Sequence, residues 1–313
     1  MLEKEYSKNL NHEEDIDLLE LLHVIYDGKW IIIFLTILIS ISGLIYSLSL
    51  PNIYQSRALL VSSSDSDQSG LMQTYGDLAG LAGIDLSGDT SDSNAVHAIE
   101  KLNSLSFFKN DFLPNIFLPN LMAYKSWDVQ NNISLYDEKI YDSNTKSWVR
   151  KYYYPQKLEP SAQESFKKFK EHLSLSVDKK NGFVTVTIKH QSPYIAKQWT
   201  ELIVDQINSF YRKKDKREAE TAAKYLNKLL SQTSLSEMKQ MLASLLQKET
   251  QKLTLIEANE FYVYEYIDPP VVMERKSEPS RSLILIFAVL FGGILSTLTV
   301  LIRHYLSLKN RNL

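Results

Sequence analysis

"EYIDPPVVMERKSEPSRSLILIFAVLFGGILSTLTVLIRHYL", Glu265 to Leu306, passes from a proline-spaced, charged segment straight into an uncharged apolar one. The run from Leu283 to Ile302 carries no charge and is bracketed by Arg281 and Arg303. That matches the roughly 20 residues a helix needs to cross a bilayer core of about 30 Å. A second such run, "WIIIFLTILISISGLIYSLSL", occupies Trp30 to Leu50 and stops at Pro51, with Trp30 placed as an interfacial anchor. The two runs divide the chain into a segment 1–29, a transmembrane helix 30–50, a domain 51–281, a second transmembrane helix 282–302 and a tail 303–313.

The first run reads as a retained anchor. Its leader, "EEDIDLLELLHVIYDGK", is long and acidic, and no small-x-small cleavage site follows the run. An even number of spans puts both ends on one side. Lys4, Lys8 and Lys29 before the first span, with Arg303, Lys309 and Arg311 after the second, point to the cytoplasm. Arg275, Lys276 and Arg281 flank the opposite side, but long domains translocate largely regardless of charge. Residues 51–281 therefore form a domain outside the cytoplasm, large enough to bury its own core. The chain has no cysteine to staple it, and its net charge of -2 selects no polyanionic partner.

Within the domain, "NIYQSRALLVSS" reads as a strand, followed by a Ser/Asp/Gly-rich loop with a short helix over Ser62 to Ser93. A helix follows over about Asn94 to Leu105. The proline-broken stretch 114–160 carries Trp127, Tyr136, Tyr141, Trp148 and the triplet Tyr152, Tyr153, Tyr154. These aromatics read as the packed face of an irregular hairpin around "YDSNTKSW", with stacking on sugar rings as the alternative. "LSLSVDKKNGFVTVTIKH" is a hairpin turning at Asn181-Gly182.

Ser192 and Pro193 then open a helix as N-cap and first position. Two apolar stripes follow, from Ile195 to Phe210 and from Ala219 to Leu230. Between them lies "RKKDKRE", where Arg212, Lys213, Lys214, Lys216 and Arg217 leave no apolar face, so this part stands in solvent. Its location outside the cytoplasm argues against nucleic acid, and Lys214 with Glu218 forms an i,i+4 pair. Ser234 and Glu237 read as a capping box that starts another helix to about Ala258, so long helix occupies about 193–258. "FYVYEYI" is a closing strand. Pro269, Pro270 and Pro279 make the linker 268–281 a stiff spacer. The expected fold is α+β: a mixed sheet near the membrane, built from both domain ends and the hairpin, with a long extended helix, flanked by two transmembrane helices.

On the spans, Ala288, Gly292 and Ser296 share one face of the second, and Thr36, Ser40, Gly43 and Ser47 one face of the first. Small residues so spaced allow close backbone approach in lipid, against either the other span, a neighbouring subunit or another membrane protein. Catalytic, cofactor and metal sites are not expected. The six histidines are scattered, and two S-x-x-K matches at Ser143 and Ser165 lack their companion motifs. No G-x-x-x-x-G-K-[ST] loop is present.

Four stretches carry a resemblance: "IDLLELLHVIYDGKWIII" at Ile16 to Ile33, "YQSRALLV" after the first span, "SPYIAKQWTELIVDQIN" at Ser192 to Asn208, and "IDPPVVMERKSEPSRS" before the second span. In this order, between two anchors, they resemble the Wzz-type polysaccharide co-polymerases, the chain length determinants of lipopolysaccharide O-antigen and related glycans. The family's further proline near Met273 or Glu274 is missing. The resemblance implies a Gram-negative inner-membrane protein with a periplasmic domain. It also implies ring-shaped homo-oligomers, the octamer among them, acting with a membrane polymerase on a growing lipid-linked glycan and making no bonds itself. The competing readings are a subunit of an exopolysaccharide or capsule export complex and a two-span periplasmic sensor, for which the tail after Ile302 is too short to carry output.

Overall fold

The computed structural model describes residues 18–63, 90–259 and 261–311. The loop and short helix expected over Ser62 to Ser93 lie almost wholly outside them. In chain order come helices α1 (Leu18–Asp27) and α2 (Lys29–Ser49), strand β1 (Tyr54–Ser62) and helix α3 (Thr90–Leu102). Short helical turns over 105–122 lead to the hairpins β2 (Tyr124–Asp128) with β3 (Ile133–Tyr136) and β4 (Tyr141–Asp142) with β5 (Ser147–Trp148). Then follow α4 (Ala162–His172), β6 (Leu173–Val177), β7 (Val184–His190), α5 (Pro193–Gln232), α6 (Ser236–Ala258), β8 (Tyr264–Asp268) and α7 (Arg281–Arg311). The chain divides into two compact units, one of residues 1–52 with 278–313 and one of residues 53–277.

In the second unit a four-stranded sheet runs β6-β7-β1-β8. It is made from both ends of the domain and the hairpin, but every pairing is antiparallel where a mixed sheet was expected. The hairpin turns at Gly182, whose φ of +73° only glycine adopts without strain. On one face Ser56, Ala58 and Leu60 of β1 stand beside Ile188, Val186 and Val184 of β7, all buried. The first half of α5 covers this face with Trp199, Ile203 and Ile207, each buried. Each such side chain stabilises the fold by about 1.5–3 kcal/mol. Phe108, Phe112 and Phe169 complete the core, with the Phe112 and Phe169 rings 4.4 Å apart.

Ser192 caps α5 as its spacing predicts, its hydroxyl accepting from the Ile195 N–H with Pro193 at the first position. The helix α4 has a capping box of its own: Ser161 accepts from the Glu164 N–H, and Glu164 accepts from the Ser161 N–H.

Asn208 fixes the edge strand to α5. Its Oδ1 accepts from the Val263 and Tyr264 N–H groups at 2.8 and 2.9 Å, and its Nδ2 donates to the Tyr264 carbonyl at 2.9 Å. This replaces a strand partner with a side chain, since β8 has a neighbour on one side only.

Two expectations are corrected here. Long helix over 193–258 divides in two where a second start was expected, but the start moves: α5 ends at Gln232, with the Thr233 N–H bonded to the Leu229 carbonyl, and α6 starts at Ser236. Leu235, not Ser234, holds the N-cap position, without a side-chain cap. The linker, read as a spacer, is stitched to the first strand. The Ser56 hydroxyl donates to the Val271 carbonyl at 3.1 Å, and the Ser277 N–H donates to the Ile53 carbonyl at 2.8 Å. Pro270 is buried, Pro269 is exposed, and Pro279 follows a cis peptide bond.

The first unit consists of α1, α2 and α7. Lys29–Ser49 and Arg281–Leu306 are long and apolar enough to cross a membrane. Gly28 joins α1 to α2 with hardly a break, its N–H bonded to the Val24 carbonyl and its own carbonyl accepting from Ile32.

Candidate functional site: an apolar helix pair and a helical hairpin

The small residues of the two apolar helices meet. α2 and α7 pack in antiparallel register, with Gly43 against Ala288, Ile39 and Thr36 against Gly292, and the Thr36 hydroxyl 3.1 Å from that of Ser296. A Cβ on Gly43 would stand 2.6 Å from that of Ala288, and one on Gly292 would stand 3.3 Å from that of Ile39. At the far end Gly28 lies beneath the side chain of Val300, which is buried with Val24. Ser296 and Ser47 are buried as well, while Ser40 turns its hydroxyl back to the Thr36 carbonyl at 2.7 Å. Gly293 has open space around it and belongs to another face. Of the three partners open from the sequence, the structure places the other helix of the same chain on this seam.

In the second unit, α5 at 40 residues is about 60 Å long, and α6 returns along it. Lys213, Lys214 and Arg217 are exposed as expected, but Arg212 and Lys216 are half-buried, and Asp215 is buried. Tyr211, Asp215 and Ala219 recur every four residues on an inward face. There the Tyr262 hydroxyl donates to Asp215 at 2.7 Å, Arg212 donates to the Asn259 carbonyl, and Lys216 pairs with Glu257. Burial first, and Asp215 second, push the Tyr262 phenol well above its ordinary range. The expectation of a fully solvated run fails because its polar atoms pair with one another across the hairpin instead of meeting an apolar core.

Beyond Ala219 no residue of α5 is buried, and α6 buries only Leu242 and Ile256. Met238, Met241 and Leu245, at i, i+3 and i+7, leave an exposed apolar stripe on α6. Two open grooves of about 660 and 460 Å³ run along the hairpin, lined by amide and hydroxyl side chains, Lys239 and the apolar Leu230, Ala243 and Leu246.

His190 is the buried last residue of β7. Its Nδ1 accepts from the Ser192 N–H at 3.0 Å, and its Nε2–H donates to the Asn120 carbonyl at 3.1 Å. Both nitrogens are therefore committed to the neutral ring, and burial pulls its pKa down to about 4. The nearby His172 is also lowered, chiefly by burial, and donates to the Lys189 carbonyl. These are structural histidines. Among the described residues no three His, Asp or Glu side chains are grouped to hold a metal ion. Of the S-x-x-K pairs, Ser165 is buried and Lys168 pairs instead with Glu171 at 2.6 Å.

The aromatics of 114–160 fall into two groups. Tyr124, Tyr136, Tyr141 and Trp148 pack on one another, with centroids 5.2 to 6.0 Å apart, and Trp127 packs on Tyr54 at 5.5 Å. The triplet Tyr152, Tyr153, Tyr154 is 51%, 79% and 97% exposed, so the packed-face reading does not extend to it.

No curated protein matches the chain. Among the solved structures similar to it are two polysaccharide co-polymerases. A full-length bacterial polysaccharide co-polymerase is 16% identical, with 93% of this chain and 98% of that one covered and a TM-score of 0.43. A fragment of WzzB, a polysaccharide co-polymerase from Salmonella Typhimurium, is 14% identical, with 72% and 100% covered and a TM-score of 0.33. The family model described as Wzz, chain length determinant protein, matches residues 14–110, a stretch that takes in α1, α2 and β1, so the resemblance read from the residues has an independent counterpart.

Proposed function

We propose that this chain is a non-catalytic regulator that sets the modal length of lipopolysaccharide O-antigen, or a related surface polysaccharide, made by a separate Wzy-type membrane polymerase. In this reading α2 and α7 span the inner membrane of a Gram-negative cell, both ends are cytoplasmic, and residues 53–277 face the periplasm. The observation that carries it is the chain length determinant match over 14–110 in a chain whose α/β domain is bracketed by two apolar helices. The exposed stripe of Met238, Met241 and Leu245 supports a homo-oligomer, because an apolar helical face at this spacing suits a second copy.

The test is a deletion strain examined by a silver-stained glycan ladder. Polymer that is still made but without its preferred length is the expected result. Abolished polymer would indicate a synthetic enzyme, and unchanged ladders for every surface glycan would remove the proposal.

A further inference from the structure

We propose that the loop Lys151–Leu158 is a glycan-binding surface that takes an acidic polysaccharide, with Tyr152, Tyr153 and Tyr154 stacking on sugar rings and Lys151 and Lys157 facing their anionic groups. The inference rests on the reading of this chain as a regulator of polysaccharide length and names the class of glycan it meets.

The loop is held from beneath. Arg150 sends two hydrogen bonds to Glu164, at 2.7 and 2.8 Å, and two more to the Leu158 and Lys157 carbonyls at 2.9 and 2.7 Å. Glu164 is itself fixed by its capping box with Ser161. The Gln156 N–H closes the turn on the Tyr153 carbonyl at 2.8 Å. Five hydrogen bonds therefore hold the base of a loop in which Tyr153 and Tyr154 stand largely in solvent and Tyr152 is half covered. Tyrosine left in solvent forgoes a large burial term, and a rigid frame lowers the entropy cost of engaging a partner there.

The chemistry of the surface selects that partner. From Ser143 to Leu158 the chain contains no acidic residue, and of the two that bracket it Asp142 is tied to its own turn and Glu159 is exposed, which leaves the surface with a small excess of positive charge. Lys146, Lys151 and Lys157 are exposed, while the charge of Arg150 is offset by Glu164. Consecutive aromatic rings bearing hydroxyls, with amide and ammonium donors around them, match a polyhydroxylated ring with an apolar face. The positive balance matches a carboxylate- or phosphate-bearing polymer.

The test uses the full chain in nanodiscs of phosphatidylcholine, with oligogalacturonate as the acidic probe and dextran as the neutral one. Oligogalacturonate is expected to bind in preference to dextran. The variant Tyr153→Ala/Tyr154→Ala should bind it about tenfold more weakly or worse, whereas Tyr153→Phe/Tyr154→Phe should retain binding. Lys151→Gln/Lys157→Gln should weaken it at low salt and lose its effect at high salt. Equal binding by the parent and the double alanine variant, or equal affinity for dextran, would overturn the proposal. A change in oligomeric mass would assign the loop to contacts between copies. Loss of binding to phosphatidylglycerol vesicles with oligogalacturonate binding intact would assign it to the membrane. Either outcome overturns it. In cells, full restoration of the deletion strain's ladder by the alanine variant would reject the loop and leave the regulator reading standing. An unchanged ladder in the deletion strain would reject that reading, and the binding assay would still decide the surface.

Discussion

The hydroxyl oxygens of Thr36 and Ser296 lie 3.1 Å apart although 260 residues separate them in the chain. A polar contact inside an apolar helix pair favours one register, because sliding either helix by one turn breaks it and leaves the Ser296 hydroxyl only its bond to the Gly293 carbonyl. In lipid such bonds contribute about 0.6 kcal/mol on average, so close packing at glycine carries most of the association.

Gly43→Leu should therefore separate the helices. With Ala288 already in contact, overpacking at this site costs about 1–3 kcal/mol. Since the chain has no cysteine, Thr36→Cys/Ser296→Cys provides a direct readout as an oxidative crosslink within one chain. The crosslink should form readily in the parent, fall sharply with Gly43→Leu and persist with Gly293→Leu, whose position is open. Equal yields in all three would mean that the seam does not hold the helices together. Gly292→Leu, facing Ile39, should act like Gly43→Leu more mildly and disturb length control while membrane insertion continues.

Asn208→Ala should destabilise the domain by about 3 kcal/mol, because it leaves two buried N–H donors and a carbonyl without their partner. Asn208→Asp keeps an acceptor but adds a buried charge and should not rescue it. Urea unfolding of the full chain in detergent, followed by tryptophan emission, measures both. An alanine variant within about 0.5 kcal/mol of the parent would show that the edge strand is held by other means.

His190 makes the fold acid-sensitive in a defined window. Its folded pKa of about 4 lies below the ordinary histidine value, so the unfolded chain takes up a proton that the folded one refuses. The stability contribution is complete above roughly pH 6.5 and is lost as pH falls toward 4. Over that window the loss amounts to about 3 kcal/mol. Melting temperature should fall between pH 6.5 and 4 in the parent and fall less in His190→Gln, and parallel curves would assign the acid loss to other groups.

The hairpin offers a contrast between two polar contacts. Lys216→Ala breaks an ion pair with Glu257 that water screens and should leave stability almost unchanged. Tyr262→Phe removes the hydroxyl that donates to buried Asp215 and should cost about 1–3 kcal/mol. The same urea assay ranks them, and the reverse order would show that the charged run stands in solvent after all.

What was legible in the chain was whatever local chemistry decides. Ser192-Pro193 starts α5, Gly182 turns the hairpin, and the two apolar runs are helices because each signal is complete within a few residues. Ser161 and Glu164 carried an equally local signal for α4, and only the surrounding prolines and aromatics concealed it. Ser234 failed as a cap because α5 keeps Thr233 for its own end, with the Thr233 hydroxyl also on the Leu229 carbonyl at 2.9 Å, which shifts the next start to Ser236. The charged run was misjudged on its seven residues alone. Its inward face is defined by Tyr211 and Ala219 on either side and by Tyr262, which only the tertiary fold brings near. The linker's attachment to β1 was unreadable for the same reason, since it joins Val271 and Ser277 to residues more than 200 positions earlier.

That attachment has an entropic side. The domain begins at Ile53 and ends at Ser277, which are hydrogen-bonded to each other, and each leads within a few residues into one of two paired helices. While α2 and α7 stay paired, unfolding of the domain releases a closed loop and never a free chain. Restricting a loop of this length removes about 5 kcal/mol of configurational freedom from the unfolded ensemble, the same service a disulfide renders in a secreted protein. In a chain without cysteine, the helix pair is thus a reversible, non-covalent staple, and loosening it at Gly43 lowers the stability of a domain whose every contact is left intact.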